Sequence, residues 1–199
     1  MSADAVEGKP KLALNVWRVA LTILLTVGLA VVISVSFGRQ PLLDVLSEGK
    51  PWPVQAACGI VIGLLVTVPA GVLINRVSSL DPLRRQLVDI VSRADLSGFN
   101  PLWFSLCAGI GEEMLFRGAL QPLLGIGLTS VIFTALHART GGFQSMNRMK
   151  AVYALIVLLI SMLLGTVFTQ IGLIAAIIMH IVIDLIALTN LRTPRGHER

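Results

Sequence analysis

Glu112, Glu113 and Arg117 lie in one apolar stretch of the chain, His137 in the next, and His180 and Asp184 in the last. A charged side chain at the centre of a bilayer costs about 2.5–3.5 kcal/mol on insertion scales. Six ionisable groups in such surroundings must therefore converge on a protein interior or a wet cavity. Glu113 and Arg117 are four apart in the acid-before-base order that suits a helical pair. Glu112 is rotated about 100° from Glu113 around a helix, so it can face a cavity while its neighbour holds the arginine. His180 and Asp184 are also four apart and share a face.

A carboxylate beside an imidazole in a partly dry cavity suits general acid–base catalysis. Low-dielectric surroundings disfavour charge on either group, so the two approach a shared proton near neutral pH. Such a pair can activate water against an amide carbonyl. Two histidines and a carboxylate are also a familiar zinc set with an open position, which makes Glu112, His137, His180 and Asp184 candidate ligands. The H-E-x-x-H signature of soluble metalloproteases is absent, and both a zinc and a metal-free mechanism stay open. No serine has an adjacent histidine and acid, which weakly disfavours serine chemistry. Taken singly, a Glu–Arg pair is often structural glue and one apolar-face histidine is often hydrogen-bonded core. The whole set is harder to dismiss. His197, in the polar tail, reads as incidental.

The elements that must position these groups follow from hydropathy. Of 199 residues, 55% are hydrophobic and 14% charged, and the mean hydropathy is +0.83. A soluble domain carries about 25% charged residues, and here the apolar residues come in long blocks that fit lipid as solvent. The net charge of +5 belongs to residues between the blocks or at the ends, where topology signals sit, and not to a nucleic-acid footprint. Cys58 and Cys107 fall inside apolar blocks and read as small apolar fillers.

The pattern predicts an all-α, polytopic bundle of about six spans: Leu14–Phe37, Val54–Ile74 with Pro69 a candidate kink, Pro101–Gln121 stopped near Pro122, Leu123–His137, Ala151–Thr169 and Leu173–Leu191. The first block is too long for a signal-peptide core and lacks a convincing cleavage site, so it reads as a retained anchor. Residues 38–53 and 139–150 read as loops. Residues 75–100 form a polar connector whose leucines and isoleucines partly follow helical spacing, either an amphipathic surface helix or a solvated linker. Lys and Arg counts between spans put both termini in the cytoplasm, with the cluster between the midplane and the cytoplasmic surface. Trp17, Trp52 and Trp103 stand at span edges, where indole rings prefer to sit. One membrane-embedded domain, 1–199, in a cell membrane is the simplest organisation.

Gly111-Glu112-Glu113-Met114-Leu115-Phe116-Arg117-Gly118, then Phe133 to His137, then His180 to Asp184 resembles the three-motif pattern EExxxR, FxxxH and Hxxx(Asn/Asp) of the CPBP family. That family contains CAAX prenyl endopeptidases of the Rce1 type and bacteriocin-processing or immunity relatives. The resemblance covers roughly residues 101–191. It implies an intramembrane endopeptidase acting on a membrane-associated protein or peptide. By the same resemblance Glu112 is the main catalytic carboxylate and His137 its partner in activating water. His180 and the residue at 184 stabilise the oxyanion, and Glu113 and Arg117 support the site. The family has been described both as metal-dependent and as glutamate-type. Position 184 here is Asp, and an ionised Asp accepts hydrogen bonds but cannot donate one to an oxyanion. It must be protonated, bind a metal or orient another group.

Two other readings compete. Buried Glu, His and Asp also mark ion paths in transporters, but that reading expects inverted repeats, and none is visible. A non-catalytic immunity or scaffold protein would keep the cluster for helix association.

Overall fold

A computed structural model describes residues 16–38, 40–91, 94–140 and 148–192. Its elements are α1 (Val16–Phe37), a short α2 (Leu42–Ser47), α3 (Trp52–Arg76), a 3-10 turn (Ser78–Leu80), α4 (Asp81–Val91), α5 (Asn100–Glu113), a π-helical stretch (Met114–Leu120), α6 (Gln121–Thr140), α7 (Arg148–Gln170) and α8 (Leu173–Arg192). Lys9, Lys11, part of the 139–150 loop, Arg93 and the tail with His197 lie outside the described residues.

Five segments are long and apolar enough to cross a membrane: Trp17–Phe37, Trp52–Arg76, Asn100–Ala138, Arg148–Gln170 and Leu173–Leu191. Along them Trp17, Leu24, Val35, Phe37, Trp52 and Leu65 are between 68% and 82% exposed. A water-soluble monomer does not display that much apolar surface. Lipid covers it, and the chain is a multi-pass α-helical membrane protein.

The third segment is 39 residues, which would be about 58 Å if straight, nearly twice the hydrocarbon layer. It is broken at Gly125 (φ 75°, ψ 169°), a conformation that is essentially glycine-only. A Cβ there would touch nothing within 4 Å, so glycine is required by the backbone and not by space. The two limbs fold against each other: the Phe116 and Phe133 rings meet edge-on at 4.9 Å. The bundle thus has about six spans. The second limb, residues 126–140, is only about 22 Å long.

The turn falls at Gly125 and not at Pro122, where composition placed it. In the π-helical stretch the Gln121 N–H bonds to the Phe116 carbonyl. That wider turn displaces the carbonyl that a proline ring at 122 would strike in an α-helix. α3 likewise runs through Pro69 without ending. Two segments read as polar connections contain helices. Between residues 38 and 53, α2 buries Leu42 and Val45, being too short to reveal a period. In the 75–100 connector, α4 turns Leu83 inward and packs on α3, α7 and α8.

Small residues let the helices approach closely. A Cβ on Gly63 of α3 would lie 2.9 Å from Val182 of α8, and one on Gly109 of α5 would overlap Ile181. Such contacts replace the hydrophobic driving force that lipid removes. Around them Leu164, Val167, Ala175, Ala176, Met179 and Ile183 form the main core. Gln55 is 1% exposed. Its Nε2 donates to the carbonyls of Glu48 and Lys50 at 3.1 and 2.7 Å, and its Oε1 accepts from Ala175 N–H at 3.3 Å. One side chain thereby holds the turn before α3 and satisfies an open donor at the start of α8. Cys58 and Cys107 are unpaired.

Candidate active site

The end of α5, the π-helical stretch, the second limb of α6 and the middle of α8 bring the six ionisable residues into three pairs, two of them joined through Glu113 and His180. Glu113 and Arg117 are both 0% exposed. Arg117 Nη1 donates to Glu113 Oε1 at 3.0 Å, and Nη2 donates to the carbonyl and hydroxyl oxygens of Ser161 on α7, both at 2.9 Å. The guanidinium also lies 4.8 Å from the Phe133 ring centroid. A buried charge needs partners, and these contacts satisfy both terminal guanidinium nitrogens while Arg117 Nε and Glu113 Oε2 are buried without a hydrogen bond.

Glu113 Oε1 faces a third group, His180 Nδ1, at 2.7 Å. The other nitrogen of that imidazole, Nε2, lies 3.4 Å from Asp184 Oδ2. Both nitrogens of His180 are therefore turned to carboxylates, and Asp184 is an orienting neighbour of His180.

Glu112 occupies the other side. Its Oε2 is 3.5 Å from His137 Nε2, and the two side chains are 29% and 30% exposed. His137 Nδ1 is 3.0 Å from the Phe133 carbonyl oxygen. A carbonyl only accepts, so Nδ1 is the donor there, and Nε2 is the nitrogen that faces Glu112. Phe133 stacks on the His137 ring at 4.1 Å, fixing the imidazole plane. An acid and a base held this way can share one proton and polarise a water between them and a substrate.

A cavity of about 350 Å³ opens at the site, with His137, His180 and Asp184 in its wall beside apolar residues of α3, α4, α7 and α8. A second cavity, about 470 Å³, is lined by Gln40, Glu48, Gln121 and Gly125 and contains neither histidine. Both embedded histidines line the smaller one, while Glu112 is not among its lining residues. The metal-ligand set expected from the sequence does not assemble. Among the described residues no three His, Cys, Asp or Glu side chains are grouped to hold an ion, and His180 Nδ1 is engaged by Glu113 at 2.7 Å. The donors do not fit a zinc site.

Three contributors were not visible in the motifs. Ser161 is a small polar residue within an apolar span, and that is its only signal. Tyr153, the chain's single tyrosine, and Thr67 both line the cavity.

The bundle is that of a multi-pass membrane protein, and it carries an embedded carboxylate–imidazole cluster beside an apolar cavity. Residues 96–186 match the family model of type II CAAX prenyl endopeptidase Rce1-like proteins. A segment of 92 residues is 34% identical to the uncharacterized protein YpbD of Bacillus subtilis (strain 168), covering 46% of this chain and 45% of that protein. The chain thus spans about half the length of that curated relative. No solved structure matches it.

Proposed function

We propose that this protein is an intramembrane endopeptidase that hydrolyses a peptide bond in a membrane-associated protein or peptide. Glu112 and His137 activate the attacking water. Its oxygen bonds to the scissile carbonyl carbon while its proton passes to the Glu112–His137 pair. The same pair returns a proton to the departing amine as the C–N bond breaks. His180 supplies a donor to the developing oxyanion. Its Nε2 is 3.4 Å from Asp184, longer than a good hydrogen bond, so an N–H there can turn toward a stronger acceptor. Glu113 and Arg117 hold His180 in place and do not react. With both termini cytoplasmic, the site lies toward the cytoplasmic half of the membrane.

The single observation that carries this reading is the approach of Glu112 Oε2 to His137 Nε2 with the imidazole Nδ1 engaged by the Phe133 carbonyl. The name of the matched family makes a prenylated CAAX tail the first substrate to test. The test is cleavage of a quenched-fluorescent farnesylated CaaX peptide, and of its unprenylated counterpart, by the purified protein in detergent. Cleavage that disappears in Glu112→Ala and His137→Ala supports the reading. Equal activity in those variants ends it.

A further inference from the structure

Thr67 on α3 is 6% exposed, lines the cavity with His180 and Asp184, and has a buried Oγ1 with no hydrogen-bond partner. Threonines within helices commonly return the hydroxyl to a carbonyl one turn back. Thr22, Thr26, Thr134, Thr166, Thr169 and Thr189 all do so, at 2.6–2.9 Å. Thr129 is also without a partner, but it is not among the residues lining this cavity. Among the described residues, Thr67 alone combines an unsatisfied hydroxyl with a place in the wall of this cavity. An orphaned polar atom in a dry interior is destabilising and calls for a reason.

Its depth is set by helix register. A Cβ at Gly59 would meet Ile178, one at Gly63 would meet Val182, and one at Gly71 would meet Asn190. α3 and α8 therefore run side by side in the same direction, and Thr67 falls midway between the levels of Val182 and Asn190, near that of Ile186 and about half a turn beyond Asp184.

We propose that Thr67 is a substrate-binding residue whose hydroxyl donates to a main-chain carbonyl of the peptide held in this cavity. The inference rests on the peptidase reading and deepens it. A peptide entering a membrane-embedded pocket brings amide groups that have lost their water, and in such surroundings each needs a protein partner. The wall is largely aliphatic, with Val66, Ile156, Ile160 and Ile183, and beyond the site residues and Thr67 its polar side chains are Asn75, Tyr153 and Asn190. The orphaned hydroxyl and the desolvated carbonyl satisfy each other. A hydrocarbon chain in the same place would leave Thr67 as it is, so this part of the cavity is matched to peptide main chain and not to lipid. Thr67 also lies outside the family-matched residues 96–186.

Thr67→Val keeps the side-chain shape and removes the hydroxyl, and Thr67→Ser restores it. The probes are the quenched-fluorescent CaaX peptide with and without its farnesyl group, on protein purified in detergent. KM is expected to rise about five- to tenfold in Thr67→Val with kcat unchanged. Tm should hold or rise, because the deleted hydroxyl had no partner, and Thr67→Ser should return KM to the starting value. An unchanged KM, a joint fall of kcat and Tm, or a serine variant that restores nothing overturns the inference and leaves the peptidase reading standing. Absence of cleavage by the unsubstituted protein overturns that reading, and this one with it.

Discussion

Glu112 Oε2 and His137 Nε2 stand 3.5 Å apart, although 25 sequence positions separate them, about 37 Å along an unbroken helix. The contact exists because α6 reverses at Gly125. The Glu112–His137 contact is therefore a property of one backbone torsion as much as of two side chains, and the hairpin's stability and the geometry of this pair meet at that glycine.

Gly125→Ala tests this coupling. The substitution forces a Cβ onto a backbone at φ 75°, ψ 169°, and such strain costs about 1–3 kcal/mol. Nothing nearby obstructs the methyl group, so sterics are not the cause. A lowered Tm in detergent together with reduced cleavage is the expected outcome. An alanine variant with both properties intact would show that the hairpin does not depend on this residue.

Glu112→Gln and His137→Gln separate chemistry from folding. Neither residue belongs to the fully buried Glu113–Arg117–Ser161 network, and each is about a third exposed. Cleavage should fall by about 10²–10⁴-fold, the usual contribution of general acid–base catalysis, while the melting curve stays put. Kinetics on the farnesylated CaaX peptide beside thermal melts would decide it.

What the sequence could and could not reveal has a physical pattern. Runs of some twenty apolar residues announce spans because the bilayer sets their length, and ionisable groups within them stand out by their cost. The i,i+4 spacing likewise exposes the Glu113–Arg117 pair. The shared contact of Glu113 with His180, 67 positions away, has no local signature. Nor does the choice between Pro122 and Gly125 as the turn, since both are breakers and the π-helical register decides which one acts. α2 is too short to show a period, and Ser161 and Thr67 are weakly polar residues that a span tolerates without comment. The reading of 139–150 as a loop was partly overtaken, because α6 continues to Thr140 and α7 begins at Arg148.

Arg117 distinguishes support from catalysis. Its guanidinium is fully buried among Glu113, Ser161 and Phe133, and removing one partner of a buried ion pair costs about 3–5 kcal/mol. Arg117→Ala should fail to accumulate as a folded bundle, or should melt far below the unsubstituted protein. Arg117→Lys should recover only part of the loss, because an ammonium cannot span Glu113 and both Ser161 oxygens in the same planar fork. An alanine variant that folds normally and loses only turnover would mean that Arg117 acts in the reaction. Expression yield, melting temperature and kcat measured together resolve the two cases.

A chelator addresses the zinc alternative. A catalytic zinc is held by three protein ligands, and no such trio is grouped among the described residues. Cleavage should survive prolonged treatment with 1,10-phenanthroline, and added zinc should bring no increase. Loss of activity restored by zinc would mean that His180 leaves Glu113 or Asp184 to bind metal.

Asp184 carries the sharpest chemical question, because an ionised carboxylate beside an oxyanion would oppose the reaction. Its Oδ2 approaches His180 Nε2, so its supportable role is to accept from that imidazole. An asparagine at 184 keeps an acceptor oxygen in nearly the same place, removes the negative charge, and adds an amide donor that can itself reach the oxyanion. Asp184→Asn should therefore match or exceed the parent in kcat. Asp184→Ala, which leaves His180 Nε2 without its neighbour, should lower kcat with little change in KM. If the asparagine variant instead falls as far as the alanine one, the negative charge at 184 is itself required, and Asp184 acts on the reaction as an anion instead of only steadying His180.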